Sequence, residues 1–281
     1  MTLTYLNLLK RQLWAMLCFL FLVSGSSLVK AENKIKIVAS IRPIALIAGD
    51  LLGDLAEVSV LLPSNADPHQ YTLRVSDRRN LAQADLVLWL GPEFELFLVK
   101  ALADRLEIPL GTAGGNAHDW LDPIRARAMA DAIAQTVSAM RPDLTQKVME
   151  NLTALSEQYA VQHRQSLAAL SRHKQRGFIG DHNAYQALAG ALQLQQIGVL
   201  QTQEDIAPSA QHLAQLTKIV QQEKPRCLLA SEVSNTSTER WSQRFALPLV
   251  TVDIVAAKST IQSYPALFED IAGAIDRCLG G

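Results

Sequence analysis

Three of the six histidines in the chain lie in short polar and aromatic segments of the same kind, each between apolar stretches. They are His69 within 67–71 (DPHQY), His118 at the start of 118–123 (HDWLDP) and His182 within 181–185 (DHNAY). Imidazole is the commonest protein ligand for a borderline transition metal. Three imidazoles drawn from distant points of the chain therefore predict a buried metal site.

The segments around these histidines alternate between apolar strands and helices. Strands are predicted at 35–40, 58–62, 85–90, 177–180, 196–200, 227–230 and 249–252. Helices are predicted at 43–52, 77–84, 94–105, 123–140, 143–170, 184–192, 208–224, 236–245 and 264–279. Strands that are apolar throughout and alternate with helices are typical of parallel sheets covered on both faces. The predicted fold class is therefore α/β.

One predicted helix is long enough to connect two bodies. At 1.5 Å per residue the helix at 143–170 would be about 42 Å long, which exceeds what one α/β layer needs. We therefore expect two α/β lobes with parallel sheets, joined by this single long helix, with the metal site in the cleft between them. The predicted boundaries are 32–140 for the first lobe, 141–173 for the linking helix and 174–281 for the second lobe.

The order of elements also indicates how the ligands could converge. Ligands of open α/β sheets gather at the carboxyl ends of the strands. His69, His182 and Asp253 each follow a predicted strand, and His118 precedes the helix that begins at Pro123. Three imidazoles and one carboxylate form a four-coordinate set that suits zinc, with Zn–N distances of ~2.0–2.1 Å. We therefore predict that these four residues bind one Zn²⁺ ion.

Each of these residues has a purely structural alternative. His69 could be a turn residue bound by the backbone, His118 could cap the following helix, and His182 could lie at the edge of the core. A carboxylate after a strand, such as Asp253, is often a helix cap or turn residue. Glu232, which also follows a predicted strand, is the replacement candidate for the fourth ligand, and water is a further one.

Other polar residues near the site are given structural roles. A carboxylate beside a ligand histidine can orient its ring, but sequence adjacency alone does not aim a side chain. We therefore expect solvated turn carboxylates at three positions next to the candidate ligands: Asp67, Asp119 and Asp181. The remaining histidines are expected at the surface: His163, His173 and His212.

The N-terminal segment 1–31 is predicted to be a signal peptide that is cleaved after export. Lys10 and Arg11 precede an almost wholly apolar run at 13–23, and small residues at 29–31 suit a cleavage site. The alternative is a retained N-terminal anchor. Without 1–31 the chain has 23 basic and 27 acidic residues, because Lys10, Arg11 and Lys30 are the charged residues removed. This mildly acidic balance without a basic run argues against nucleic acid or anionic lipid as a partner.

Export also leaves two cysteines, Cys227 and Cys278. An even pair in an oxidising compartment predicts a disulfide, which would close a loop of about 50 residues. Zinc ligation is the alternative, but isolated cysteines lack the paired short spacing of a zinc knuckle.

Several motifs in this order resemble one protein family over essentially the whole mature chain. They are 40–43 (SIRP), 67–73 (DPHQYTL), 84–92 (ADLVLWLGP), 118–123 (HDWLDP) and 181–185 (DHNAY). The chain resembles the zinc- and manganese-binding solute-binding proteins of bacterial ABC importers, and more closely the zinc subgroup.

The resemblance implies two lobes bridged by a rigid helix, with the metal buried between them. His69, His118, His182 and Asp253 would occupy the family's ligand positions. Manganese-binding relatives typically carry a glutamate at the position of His182, so this histidine favours zinc. The zinc subgroup's disulfide also matches the two exported cysteines.

One departure from the family concerns the segment before the second ligand. Many zinc-binding members have a long loop there, rich in histidine and acidic residues. Residues 111–117 (GTAGGNA) are short and contain neither histidine nor charge. Zinc capture assisted by such a loop is therefore not expected of this chain.

The leading functional hypothesis is a periplasmic, exported binding protein that captures Zn²⁺ and delivers it to an ABC-type permease in the inner membrane. A periplasmic metallochaperone is a candidate second partner, and we expect a monomer that is not an enzyme. The first alternative is a manganese or iron solute-binding protein of the same importer class. The second is an exported zinc hydrolase, which needs an open zinc position and a general base. Asp253 would fill that position, and the chain has no His-Glu-x-x-His motif.

Overall fold

Two parallel four-stranded sheets form the framework of the fold. The computed structural model describes residues 34–63, 66, 71–113, 115–116, 118–202, 207–232 and 236–280. The first sheet contains β1 (Ile35–Ala39), β2 (Ala56–Val60), β3 (Leu86–Trp89) and β4 (Glu107–Pro109). The second contains β5 (Gly177–Gly180), β6 (Gln195–Val199), β7 (Leu228–Ser231) and β8 (Leu249–Val252). Both have the same topology, with the orders β2-β1-β3-β4 and β6-β5-β7-β8, and all their pairings are parallel.

Burial along the strands follows their place in the sheet. Every residue of β3, β5 and β7 is buried, as expected for strands covered by helices on both faces. The edge strand β2 instead begins with one buried residue, after which exposed and half-buried residues alternate. The prediction of parallel sheets is therefore confirmed.

Helices connect the strands and cover the sheets. Those connecting the first sheet's strands and leading to the long helix are α1 (Arg42–Leu52), α2 (Val75–Gln83), α3 (Leu96–Leu102) and α4 (Pro123–Met140). Those of the second sheet are α6 (Gln186–Ala191), α7 (Ala210–Glu223), α8 (Thr236–Phe245) and α9 (Tyr264–Gly280). We refer to each sheet with its own helices as the first and the second lobe.

The long helix α5 (Thr145–Leu170) lies between these two series. It has 26 residues and begins after a 3₁₀ turn at Pro142–Leu144. Its buried stripe consists of Val148, Leu152, Leu155, Tyr159 and Leu170, and it packs against α1, α4 and α9. The i, i+4 and i+3 spacing of these residues places them on one helix face. The prediction of a long helix between two α/β lobes is confirmed.

The hydrophobic core continues from one lobe into the other. Its main cluster includes residues of both sheets and of α5, so the lobes share packed apolar surface. A smaller cluster lies in the second lobe and consists of Ile179, Leu200, Leu216 and Leu228. The described residues from Ile35 onwards form one compact unit.

The predicted disulfide is present between Cys227 and Cys278. Their Cα atoms are 5.4 Å apart, and 51 positions separate them in the sequence. Both residues are buried. The bond joins the chain just before β7 to the last turns of α9.

Two sequence predictions about the strands differ from the structure by more than one residue at an end. Strand β4 was not predicted, because it has only three residues and ends in Pro109 at a sheet edge. Strand β2 lies two residues earlier than predicted, since Ala56 pairs with Ile35.

The predicted signal peptide lies outside the described residues. In the described part of the chain, no helix has the length and apolar character that crossing a membrane requires.

Candidate metal-binding site

The imidazole rings of His118 and His182 meet, although the two residues belong to different lobes. Their Nε2 atoms are 3.3 Å apart and their ring centroids 4.9 Å apart. His118 lies between β4 and α4, whereas His182 follows β5 by two residues. Both side chains are largely buried, with 5% of His118 and 13% of the His182 side chain exposed. The structure thus brings together two of the four predicted ligands.

The ring of His182 is oriented by the residue before it. Nδ1 of His182 donates to Oδ1 of Asp181 at 2.8 Å, and the backbone N–H of His182 donates to the same oxygen. Oδ2 of Asp181 accepts the backbone N–H of Ser231 at 2.9 Å, so the carboxylate is fixed to the end of β7. Because an ionised carboxylate only accepts, the proton of this imidazole is on Nδ1 and the lone pair is on Nε2.

The backbone geometry at the end of β5 allows this arrangement. Strands β5 and β7 are neighbours at the point where the strand order reverses, which is where open α/β sheets bind ligands. A Cβ atom on Gly180 would lie 2.9 Å from the backbone oxygen of His182, so only glycine fits without a shift. Burial raises the pKa of Tyr185, whose ring lies 6.0 Å from that of His182, and the charge of Asp181 raises it further. The phenol therefore stays neutral beside the site.

The ring of His118 is oriented by a neutral amide. Oδ1 of Asn116 accepts the backbone N–H of His118 at 2.8 Å and lies 3.3 Å from its Nδ1. Nδ2 of the same amide donates to the backbone oxygen of Asn183 at 2.5 Å, across the cleft.

The carboxylate that caps α4 belongs to Asp122, which accepts the N–H of Ile124 at 2.8 Å. The cap of α4 is thus Asp122 rather than His118.

The two Nε2 atoms are at the separation that a shared metal requires. With a protonated Nδ1 on each ring, both Nε2 atoms carry lone pairs directed into the same small space. Two lone pairs at this distance repel each other unless a proton or a metal cation lies between them. A tetrahedral metal with Zn–N bonds of about 2.0–2.1 Å places two ligand nitrogens about 3.3–3.4 Å apart. The observed Nε2–Nε2 distance of 3.3 Å matches this value.

Asp253 is buried at the end of β8 and organises the loop that follows. Its Oδ1 accepts the N–H groups of Val255 and Ala257 at 3.2 and 2.8 Å, and its Oδ2 accepts that of Lys258 at 2.8 Å. The loop that donates these hydrogen bonds includes Ala256, which has a left-handed backbone conformation with φ of 56°. A carboxylate has about four lone-pair sites, so three are used by the backbone and one remains on Oδ2.

Glu232, the replacement candidate for the fourth ligand, lies in an ion pair. Its carboxylate oxygen is 2.9 Å from Nζ of Lys258, and about a third of its side chain is exposed. Lys258 also contacts Asp270 on α9 at 3.2 Å. A metal at Glu232 would have to compete with this ammonium group.

The other predicted ligand, His69, lies outside the described residues, as does Asp67. Within the ranges that the structure describes, no group of three or more His, Cys, Asp or Glu residues lies close enough to hold a metal ion. The described part of the site is therefore the pair of His118 and His182, and neither Asp253 nor Glu232 forms a metal-holding group with it in this structure.

Three expectations about neighbouring polar residues were wrong. Asp119 and Asp181 were expected to be solvated, but both are only 3% exposed. Asp119 accepts the N–H of Thr112 at 2.9 Å, and Asp181 orients a candidate ligand. His173 was expected at the surface, but it is 2% exposed and its ring lies 2.8 Å from Asp276. His163 and His212 are half-buried, and each ring contacts a backbone oxygen.

The fold and the imidazole pair define a class: a two-lobed α/β binding protein with a candidate metal site shared between its lobes. The sequence model of the ZnuA family, zinc-uptake complex component A periplasmic, matches residues 37–278. The chain therefore belongs to this family.

Named relatives agree with this assignment. The chain is 26% identical over 287 residues to the high-affinity zinc uptake system protein ZnuA of Haemophilus ducreyi, covering 86% of this chain and 93% of the relative. It is 28% identical over 240 residues to the zinc-binding lipoprotein AdcA of Streptococcus pneumoniae, covering 75% of this chain. That alignment spans 48% of AdcA, so the chain matches about half the length of this relative. A crystal structure of ZnuA superimposes with a TM-score of 0.78 at 24% identity and covers 88% of this chain and 100% of that one.

Proposed function

We propose that the protein is the binding component of a zinc importer, which captures Zn²⁺ outside the inner membrane and delivers it to an ABC-type permease. The single observation that carries this proposal is the Nε2–Nε2 distance of 3.3 Å between His118 and His182, which come from opposite lobes. Family membership and the zinc-binding names of relatives support the same function.

The proposed ligand set is His69, His118, His182 and Asp253. The chemistry supports a carboxylate as the fourth member, since Oδ2 of Asp253 retains one lone-pair site after its backbone hydrogen bond. Glu232 is less suitable, because Lys258 already neutralises it. Three neutral imidazoles and one carboxylate leave the Zn²⁺ complex with a single positive charge. This set suits zinc, whereas calcium and magnesium favour oxygen ligands.

The proposed activity is binding and transfer, without catalysis. A catalytic zinc keeps one position open for water and needs a general base beside it. The proposed four-ligand shell would close that position. Hydrolytic turnover by the zinc-loaded protein that disappears in His118→Ala would instead support an exported zinc hydrolase.

The proposed setting is the periplasm, with the permease as the main partner and a metallochaperone as a further candidate. We propose a monomer with a cleaved leader at 1–31, a first lobe at 32–140, a linking helix at 141–173 and a second lobe at 174–281. The mildly acidic balance of the mature chain supports neither nucleic acid nor anionic lipid as a partner.

Single alanine substitutions test the ligand set. His69→Ala, His118→Ala and His182→Ala should each weaken zinc binding at least tenfold, measured by competition with a chelating fluorescent dye. His163→Ala is the matched control, because this half-buried histidine lies on α5 and its ring contacts the backbone oxygen of Ala191, outside the candidate site. Wild-type affinity in all three ligand variants would exclude the proposed site.

A second titration tests the identity of the metal. Zn²⁺ and Mn²⁺ are offered at equal free concentrations, because raw affinity follows the general order of divalent metals rather than the design of the site. We expect zinc to occupy the site. Preferential loading with Mn²⁺ would favour the manganese or iron importer instead.

A further inference from the structure

One side chain, that of Asn116, connects the two halves of the candidate site. Its Oδ1 accepts the backbone N–H of His118 at 2.8 Å and lies 3.3 Å from Nδ1 of the same residue. Its Nδ2 donates to the backbone oxygen of Asn183, the residue after His182, at 2.5 Å. The amide therefore touches the chain beside both imidazoles.

Building on the proposed zinc site, we propose that Asn116 is a positioning residue that couples the orientation of the His118 ring to closure of the cleft. When the His118 and His182 segments are together, the amide is held at both ends and keeps Nδ1 of His118 protonated. When they separate, the bond to Asn183 breaks, and the amide that orients His118 loses its second anchor. Zinc is then held less firmly by His118.

The chemistry of the side chain explains why an amide is needed. An amide both accepts and donates, so one end serves the histidine and the other serves the opposite backbone oxygen. A carboxylate at 116 could still accept from His118, but its second oxygen would face the carbonyl oxygen of Asn183. Alanine would lose both contacts. The two substitutions therefore separate ring orientation from the connection across the cleft.

The segment that carries Asn116 is itself fixed to the first lobe. The N–H of Thr112 donates to Asp119 at 2.9 Å, and Arg125 donates to the hydroxyl of Thr112 at 3.2 Å. A Cβ atom on Gly115 would lie 2.8 Å from the backbone oxygen of Thr112, so the turn before Asn116 is tight. The amide consequently projects from an anchored turn, which suits a positioning role.

The test compares zinc dissociation from Asn116→Ala, Asn116→Asp and wild type, with excess chelator as the trap. Asn151→Ala is the matched control, because Nδ2 of Asn151 also donates to a backbone oxygen, that of Leu51, at 2.9 Å and away from the candidate site. We expect dissociation to be about tenfold faster in Asn116→Ala, as for other residues that orient a metal ligand, and within twofold of wild type in Asn151→Ala.

A spectroscopic readout separates positioning from a general loss of stability. The Co²⁺-loaded Asn116→Asp protein should keep the absorption of a tetrahedral site, because its carboxylate still accepts from His118, and yet should release metal faster than wild type. Asn116→Ala should show an altered Co²⁺ spectrum.

Two outcomes overturn the proposals separately. Dissociation within twofold of wild type in both Asn116 variants, while His118→Ala abolishes binding, would refute the role of Asn116 and leave the zinc site intact. Unchanged binding in His118→Ala would refute the zinc site itself.

Discussion

The substitution Asp181→Asn tests how far the buried carboxylate beside His182 supports metal binding. In the wild type, Oδ1 accepts two hydrogens from His182 and Oδ2 accepts the N–H of Ser231. An amide at this position has one acceptor oxygen and one NH₂ group. In either orientation the NH₂ group faces a donor, so one set of contacts is lost and a donor–donor contact replaces it.

The expected magnitude follows from the burial of this group. Asp181 is 3% exposed, so water cannot readily replace a lost hydrogen bond. Hydrogen bonds to charged groups contribute about 1.5–3 kcal/mol each. Loss of a residue that orients a metal-binding histidine typically weakens affinity by about 10–100-fold. At roughly 1.4 kcal/mol per tenfold change, this corresponds to about 1.4–2.8 kcal/mol of zinc-binding free energy.

The assay is zinc competition at neutral pH, combined with urea unfolding of the metal-free protein. Asp276→Asn is the control, because Asp276 also contacts a buried histidine, at 2.8 Å from Nε2 of His173, outside the candidate site. Both variants should be less stable than wild type, but only Asp181→Asn should bind zinc more weakly. Zinc affinity within twofold of wild type in a folded Asp181→Asn protein would refute the reasoning.

Two further predictions concern stability. Burial raises the pKa of the Asp50 carboxyl from 3.8 to about 6, although the N–H of Tyr264 and the hydroxyl of Tyr159 lower it. The folded state thus binds this proton more tightly than the unfolded state, and the resulting stability, complete below pH 3.8, is lost as pH rises through about 6. Relative to wild type, Asp50→Asn should therefore gain roughly 1 kcal/mol between pH 5 and pH 8 in urea unfolding. About half of the roughly 3 kcal/mol that the full shift represents falls within this pH range, and partial exposure reduces it further; a constant difference would contradict this. Replacing Cys227 and Cys278 by alanine should lower the free energy of unfolding by about 4 kcal/mol, from the entropy of a loop of this length, and a loss below about 1 kcal/mol would contradict it.

Elements with strong local signals could be predicted from the sequence closely. Helix α4 begins and ends as predicted at Pro123 and Met140, because Asp122 caps its start and Pro142 follows its end. Strand β8 also has its predicted bounds, since Pro248 precedes it and Asp253 follows it. The alternation of such strands and helices along the sequence was sufficient to predict the two-lobed fold.

The contacts that orient the candidate ligands could not be predicted in the same way. Asp181 contacts Ser231, 50 residues away, and Asn116 contacts Asn183, 67 residues away. His173 is buried by a contact with Asp276, 103 residues away. Each of these contacts depends on the register of β5 and β7 or on the packing of α9. They could not be predicted because a local sequence pattern carries no information about either. The candidate ligands could be identified from the sequence, whereas the side chains that orient them could not.

The loop after β8, which begins with the candidate ligand Asp253, is bonded to the first lobe as well as to its own. The indole N–H of Trp120 donates to the backbone oxygen of Ile254 at 2.8 Å. The hydroxyl of Tyr264 donates to the backbone oxygen of Trp120 at 2.9 Å. Both aromatic residues are almost fully buried, so water cannot replace these bonds without opening the core.

A wide hinge opening between the lobes would break these bonds and separate the shared core described above. At about 0.5–1.5 kcal/mol for each hydrogen bond, together with about 25 cal/mol for each Å² of apolar surface exposed, such an opening is costly. A local displacement of the His182 segment instead breaks the hydrogen bond between Asn116 and Asn183 and the contact between the two imidazoles, and it leaves the Trp120 and Tyr264 contacts in place. We therefore expect metal release through local movement around His182 rather than through rotation of whole lobes.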